Sequence, residues 1–342
     1  MKNKPTDFAY HLTTFLGKYL PGQEGSSTNT IKSYRDSFSL YLKYCRDERG
    51  LKPETVTING ITQESVIDFL AWIESSRGCS VSTRNQRLAA FHSFFGYLQT
   101  ECPDYILLCQ QILAIDFKTA PKRSVGYLSL EAIQAILAQP NPESRSGLRD
   151  LALLSLLYDA GARVQEVADL TVADVRVEDP ATIKLTGKGD KARIVPLMNQ
   201  TREILLKYMS ANSLLQTQAR TRPLFYNRSK QKLTRAGISY VLDKYVVPAK
   251  GSSPTLFPEG VSPHKIRHSK AMHMLQSGIN LVYIRDLLGH VDIKTTEVYA
   301  RADSEMKRKA LEQVYAPVIP KISAAWHNDS NLLSWLQNLG RE

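Results

Sequence analysis

Apolar residues recur at helical spacing along most of this chain and at strand spacing in one place. In Asn29–Gly50 the positions Ile31, Tyr34, Phe38, Leu42 and Tyr44 approximate the helical period, with Ser27 or Thr28 placed to cap the start. Thr62 caps a second segment, Gln63–Gly78, and Gly78 ends it. Ser82 caps a third, Thr83–Glu101, whose inner face is Leu88, Phe91, Phe94, Phe95 and Leu98. Asp7–Leu20 is a short amphipathic opening. Four helices with short connections predict a small bundle.

The pattern breaks at "DFKTAPKRSVGYLS" (Asp116–Ser129), which has the composition of an exposed linker. Helical signals return in "LEAIQAIL", "GLRDLALLSLLYDAG" and "RVQEVADL". Then "ATIKLTGKGDKARIVPL" gives the one clear strand signal, two β-branched runs around Gly-Lys-Gly-Asp, read as a hairpin. Helices follow to about Tyr315. In the tail, Leu332, Leu333, Trp335, Leu336 and Leu339 share one face of a short helix. A helix that short needs a docking surface, either in its own domain or on a neighbouring subunit. The expected fold is mainly α: a four-helix N-terminal bundle, then an α-rich domain with a small antiparallel sheet.

Charge sharpens the division. The formal net charge is +11, which calls for a polyanionic partner, nucleic acid before a membrane surface. Residues 1–117 are balanced, with 12 basic and 12 acidic side chains, so the whole excess lies beyond them. The four cysteines, Cys45, Cys79, Cys102 and Cys109, form no metal-type spacing. With no signal peptide and no long apolar run, the expectation is a cytoplasmic, nucleoid-associated protein with reduced thiols and no membrane contact.

Four clusters could carry chemistry. In "YDAGARVQEVADL" a helix breaks at Gly161 and another starts at Arg163, with Glu166 on the same face three residues later. A helix start does not favour arginine, which leaves its guanidinium open to an anion, although an ordinary ion pair explains the same residues. In "TGKGDKAR" a turn projects Lys188. The phosphate-loop pattern fails because Thr182 and Gly189 stand where Gly and Ser/Thr are required, so a solvated lysine also fits.

In "SPHKIRHSKAMHML", Ser262 caps and Pro263 opens a helix that runs on to Gly278. His264 and Arg267 point the same way. His264 and His268 are four apart, but no Glu follows His264 and no third ligand is indicated, so no metal is expected. His273 reads as a packed or surface histidine. In "LLGHVDIKTTEVYARAD" a helix ends at Gly289, His290 follows, and Thr295 or Thr296 can cap a short helix bearing Tyr299. A surface tyrosine would account for that stretch alone.

Together the inventory suits phosphodiester chemistry. Two arginines can hold non-bridging oxygens, a tyrosine hydroxyl can form a covalent phosphodiester, and a lysine or histidine can protonate the leaving alkoxide. No carboxylate cluster for a two-metal nuclease is apparent.

These motifs carry a resemblance to the tyrosine recombinases, the phage integrase and Xer-like family. "GARVQEV" is similar to the family's first arginine motif and "HKIRH" to its His-x-x-Arg box. "LLGH" followed by "TTEVYA" resembles its histidine and nucleophile segment, and "GKGDKARIVPL" its lysine hairpin. The match spans about 120–315, with Ala162 and Gln165 departing from the usual residues. "NTIKSYRDSFSLYL" and "STRNQRLAAFHSFFGYL" resemble helices of the family's SAM-like core-binding domain.

The resemblance implies a tyrosine recombinase fold and a set of roles. Tyr299 would attack the scissile phosphate and form a 3′-phosphotyrosyl link. Arg163 and Arg267 would bind the phosphate. Lys188 would be the general acid, with Lys191 its rival. His264 would assist Tyr299 or hold the phosphate, His290 would bond a phosphate oxygen, and Glu166 would orient the Arg163 and His264 region. No cofactor is implied, since one phosphodiester becomes another.

The implied partners are duplex DNA with paired sites and three further copies of the chain, a dimer of dimers acting through a Holliday junction. An accessory DNA-bending protein or a partner recombinase could join them. Expected boundaries are 1–116 (core-binding domain), 117–128 (linker), 129–316 (catalytic domain) and 317–342 (tail). Lys32, Arg35, Arg84, Asn85, Arg87 and Arg235 are candidate DNA contacts, although exposed helix charges usually just solvate.

About 25 residues precede the first long helix, which leaves no room for an arm-site domain and leans towards a simpler Xer-like or transposon-borne enzyme. The role could be integration, excision, transposition or dimer resolution. Competing readings are a type IB-like topoisomerase or telomere resolvase, a DNA-binding regulator on an inactive scaffold, and a metal-dependent nuclease.

Overall fold

The computed structural model describes residues 4–120, 126–187, 189–257, 260–290, 295–297 and 299. It divides into two compact units, Met1–Arg123 and Ser124–Glu342. Among the described residues no helix is long and apolar enough to cross a membrane.

The first unit is helical. α1 (Asp7–Thr14) runs through a π-type turn (Phe15–Tyr19) into α2 (Leu20–Gly22). α3 (Thr28–Arg49) starts at Ser27, whose hydroxyl accepts the Thr30 N–H, and stops at Gly50 in the left-handed region, φ 63°. α4 (Gln63–Ser75) is capped by Thr62. α5 (Val81–Glu101) begins two residues earlier than the pattern predicts. Ser80, rather than Ser82, reaches the Thr83 N–H, and the Ser80 carbonyl takes the Arg84 N–H.

A fifth helical element, α6 (Ile106–Leu113), follows a Pro103 turn. Its run "ILLCQQIL" is too short to show a period, yet it drives Cys109 and Ile112 into the core. That core is aromatic. Leu88, Phe91, Phe94, Phe95 and Leu98 are fully buried as the pattern predicts, among Phe8, Phe15, Phe38, Tyr41 and Phe69. Ring pairs such as Phe8–Phe94 and Tyr41–Phe91 meet edge to face.

The second unit packs helices around a small sheet. α7 (Leu130–Leu137), α8 (Arg145–Asp159) and α9 (Val164–Asp169) come first. β1 (Val175–Arg176), β2 (Thr182–Thr186) and β3 (Ala192–Pro196) then form an antiparallel sheet in sequence order. β1 is absent from the sequence reading because two residues are too few to show alternation. In the hairpin Ile183 pairs with Val195 and Leu185 with Arg193. Ile183, Leu185 and Val195 therefore face the core, and so does Arg193.

α10 (Asn199–Ala211), α11 (Arg235–Ser252), α12 (Pro263–Gln276) and α13 (Leu281–Leu288) complete the described elements. Ser262 caps α12 through the Lys265 N–H, with Pro263 at its first position. α12 ends at Gln276, two residues short of Gly278. The main core is aliphatic, and a satellite of Ala271, Met272, Leu275, Ile284 and Leu288 lies between α12 and α13.

Candidate active site

Two helix ends, one helix start, one strand and the first turns of α12 converge in the second unit. α8 ends beside Gly161 (φ 54°), and α13 ends at Gly289 (φ 63°). A side chain at Gly161 would meet Leu288 at 2.9 Å, and one at Gly289 would meet Arg193 at 2.9 Å. Both positions need glycine for backbone sign and for space. The two turns leave backbone carbonyls at the negative ends of helices, where cations are favoured.

Those carbonyls hold the two candidate phosphate-binding arginines. Arg267 is 3% exposed, and its Nη1 and Nη2 donate to Gly161 O at 2.6 Å and Leu288 O at 2.5 Å. Arg163 Nη2 donates to Gly289 O at 3.0 Å. Burial, then the Arg163 charge, pulls the Arg267 guanidinium down to about 10, so it stays protonated at neutral pH.

One carboxylate organises the charges. Glu166, 4% exposed, accepts the Arg163 backbone N–H and Nη1, both at 2.8 Å. It also takes a two-pronged bond from Arg193, both prongs at 2.8 Å. Burial alone would raise its pKa, but the Arg193 and Arg163 bonds outweigh burial and hold it below the usual carboxylate range. Arg193 Nε reaches on to Leu287 O at 2.7 Å, tying β3 to the end of α13. The sequence reading overlooked Arg193. Its signal was a charge at an inward strand position, which a hairpin tip rich in lysine disguises.

The histidines and the tyrosine lie across from this knot. Tyr299 is 2% exposed and joins the satellite core. Burial raises its phenol pKa while Arg267 pulls against it. The hydroxyl lies 2.7 Å from His268 Nδ1, the histidine read above only as one half of an unfilled metal pair. His264 is exposed, with its ring 5.1 Å from that of His268. His290 stacks on Tyr299 at 6.4 Å, with Nδ1 3.0 Å from Thr296 Oγ1. Burial, with neighbouring cationic groups, pushes His268 and His290 each down to about 4. Both are therefore neutral at physiological pH. His273 is buried against Tyr158, 2.9 Å from its hydroxyl.

A cavity of about 500 Å³ opens between Arg163, Gly187, Lys191, Ala192, Arg193, Gly289 and His290. Lys188, the expected acid, lies outside the described residues, as do Val291–Lys294 and the tail helix. The flanking Gly187 N–H donates to Lys191 O at 2.9 Å, closing the hairpin beneath that tip. Among the described residues no group of three or more metal-ligating side chains gathers, and the cysteines are free thiols.

The candidate DNA contacts divide. Lys32, Arg35 and Arg235 are exposed. Arg84 is 6% exposed and donates to Asp116 O at 3.0 Å and Asn85 Oδ1 at 3.1 Å. Asn85 bonds the Lys118 backbone, and Arg87 bonds Ser33 O and Ser37 Oγ. These three side chains are thus engaged within their own unit.

Comparison with known proteins agrees with this layout. The Phage integrase family model matches residues 127–306, and the model of the phage integrase N-terminal SAM-like domain matches residues 14–101. A Sinorhizobium fredii protein named as an integrase/recombinase (y4rC) is 32% identical, over 98% of this chain and 99% of its own. Tyrosine recombinase XerD of Oceanobacillus iheyensis is 31% identical, over 87% of this chain and 96% of its own. The fold resembles the Tn1549 transposon integrase solved with transposon right-end DNA, with TM-score 0.67 and 14% identity over 89% of this chain and 99% of that one. It also resembles the XerH recombinase solved on difH substrate, with TM-score 0.65 and 20% identity over 87% and 83%.

Proposed function

The chain belongs to the phage integrase family and is a tyrosine-type site-specific recombinase, and we propose that it breaks and rejoins duplex DNA through a phosphotyrosyl intermediate. The carrying observation is electrostatic. Arg163 and Arg193 line a cavity of about 500 Å³ and bond one carboxylate, Glu166, while the buried Arg267 guanidinium lies within electrostatic reach of all three. Such a place is short of negative charge, and a phosphodiester supplies it.

In this reading Arg163 and Arg267 bind the non-bridging oxygens of the scissile phosphate, with His264 and His290 as further donors. Tyr299 Oη bonds phosphorus, and the P–O5′ bond breaks. The 3′ end remains on the enzyme, and Lys188, or Lys191 in the same hairpin, protonates the leaving 5′ oxygen. The 5′-hydroxyl of a partner strand then reverses the step. One phosphodiester replaces another, so the exchange needs no nucleotide hydrolysis. Two such exchanges on paired sites pass through a Holliday junction, which calls for four copies of the chain, two per site. The same sequence of steps would serve integration, excision, transposition or dimer resolution.

The test is a trapped adduct. Duplexes selected by the protein from a randomised library are nicked beside the cleavage position, so the short 5′-hydroxyl strand is lost. Wild-type protein should accumulate a denaturation-resistant adduct, and Tyr299→Phe should give none. An adduct that survives in Tyr299→Phe removes the assignment.

A further inference from the structure

Among the described residues, one hydrogen-bond partner touches the Tyr299 hydroxyl, and it is His268 rather than His264. His268 Nδ1 lies 2.7 Å from Tyr299 Oη, with the rings 5.5 Å apart. The register is fixed from next door: Arg267 is pinned by Gly161 O and Leu288 O, so the following residue on α12 has little freedom to turn away. His264 sits one turn earlier, exposed, with its ring packed edge-on against His268. His290 gives its Nδ1 to Thr296 and offers Tyr299 only a ring face.

Burial, the neighbouring His264 and Arg267 keep the His268 imidazole neutral at physiological pH, and in the tautomer with its proton on Nε2 the Nδ1 atom accepts from the phenol. A phosphodiester bound at Arg267 would offset that cationic field and make His268 more basic when the phenol must lose its proton.

We propose that His268 is the base for the nucleophile. As Tyr299 Oη bonds phosphorus and the P–O5′ bond breaks, the phenolic proton passes to His268 Nδ1, while the leaving 5′ oxygen takes its proton from the hairpin lysine. In the return step a 5′-hydroxyl attacks, the phenolate leaves, and His268 gives the proton back. This inference rests on the phosphotyrosyl reading above and leaves His264 to the phosphate.

The experiment measures single-turnover adduct formation on the nicked duplex, in its ordinary form and with a bridging sulfur in place of the 5′ oxygen. A thiolate leaves without a proton, so the sulfur substrate isolates the nucleophile's half of the chemistry. His268→Asn keeps an acceptor for the hydroxyl but cannot take its proton. It should lose about 10²-fold or more on both substrates with DNA binding unchanged. Lys188→Ala should recover on sulfur alone, and imidazole added to His268→Ala should restore part of the rate.

Wild-type rates in His268→Asn, or a defect in His264→Asn cured by imidazole while His268→Ala is not, would overturn the proposal. Adduct formation by Tyr299→Phe would overturn the phosphotyrosyl reading instead, so the two failures are distinguishable.

Discussion

Among the described residues two arginines are buried, one in each unit, and their surroundings differ in a telling way. Arg84 on α5 is 6% exposed and donates from Nη1 to the Asp116 carbonyl and the Asn85 amide oxygen. Arg267 on α12 is 3% exposed and donates to the carbonyls of Gly161 and Leu288. Burial lowers the pKa of both. The neighbours then diverge: Arg84 has a stabilising Glu74 nearby, whereas Arg267 faces Arg163 and Arg193 with Glu166 as the shared carboxylate. A buried cation with neutral partners and a balanced field is a strut. A buried cation among like charges awaits an anion, because the desolvation cost is only partly offset until one binds.

Substitutions should separate the strut from the site. The largest effect is expected from Arg267→Ala, which removes the buried guanidinium proposed to bind the phosphate. Adduct formation should fall about 10²–10³-fold, read by single-turnover gel assay on the nicked duplex. Glu166→Gln should come next. It leaves two guanidiniums around a neutral amide, and loss of one partner of a buried charge network costs about 3–5 kcal/mol, read as a lower urea midpoint for the second unit. Arg84→Met should cost the first unit about 1–3 kcal/mol while leaving the adduct rate at saturating DNA within about twofold of wild type. An Arg84 variant that loses catalysis but not stability would collapse the comparison.

The smallest effect is one of pH. His268 and His290 fall to about 4 in the folded chain, against a usual value near 6.5, so between those values the unfolded chain binds more protons. Their contribution to stability is fully present above the unfolded value and is lost as pH falls from about 6.5 towards 4. The melting temperature of the second unit should drop across that window, and less steeply in His268→Asn.

Much of this was legible in the sequence, and what escaped did so for physical reasons. The helical period exposed the aromatic face of α5, and Gly161, Gly289, Ser262 and Pro263 marked the turns and the cap that shape the site. Arg163, Arg267, His290 and Tyr299 each allowed a plain structural reading, and only their combination and the family resemblance singled them out. Arg193 did not, because a strand's inward face is known only once its pairing with Leu185 is known. His268 was weighed only as half of a metal pair and set aside, since spacing along a helix says nothing about a tyrosine thirty-one residues away. The helix period also did not disclose that Arg84 and Asn85 are engaged by the Asp116–Lys118 loop and Arg87 by Ser33 and Ser37 of α3.

The most direct test of the account is chemical mapping of the trapped adduct. Wild-type protein is reacted with the nicked duplex and digested, and the nucleotide-bearing peptide is sequenced by mass spectrometry. The nucleotide should be joined through its 3′ phosphate to Tyr299. A nucleotide on any other side chain, or an adduct of normal yield in Tyr299→Phe, would contradict it.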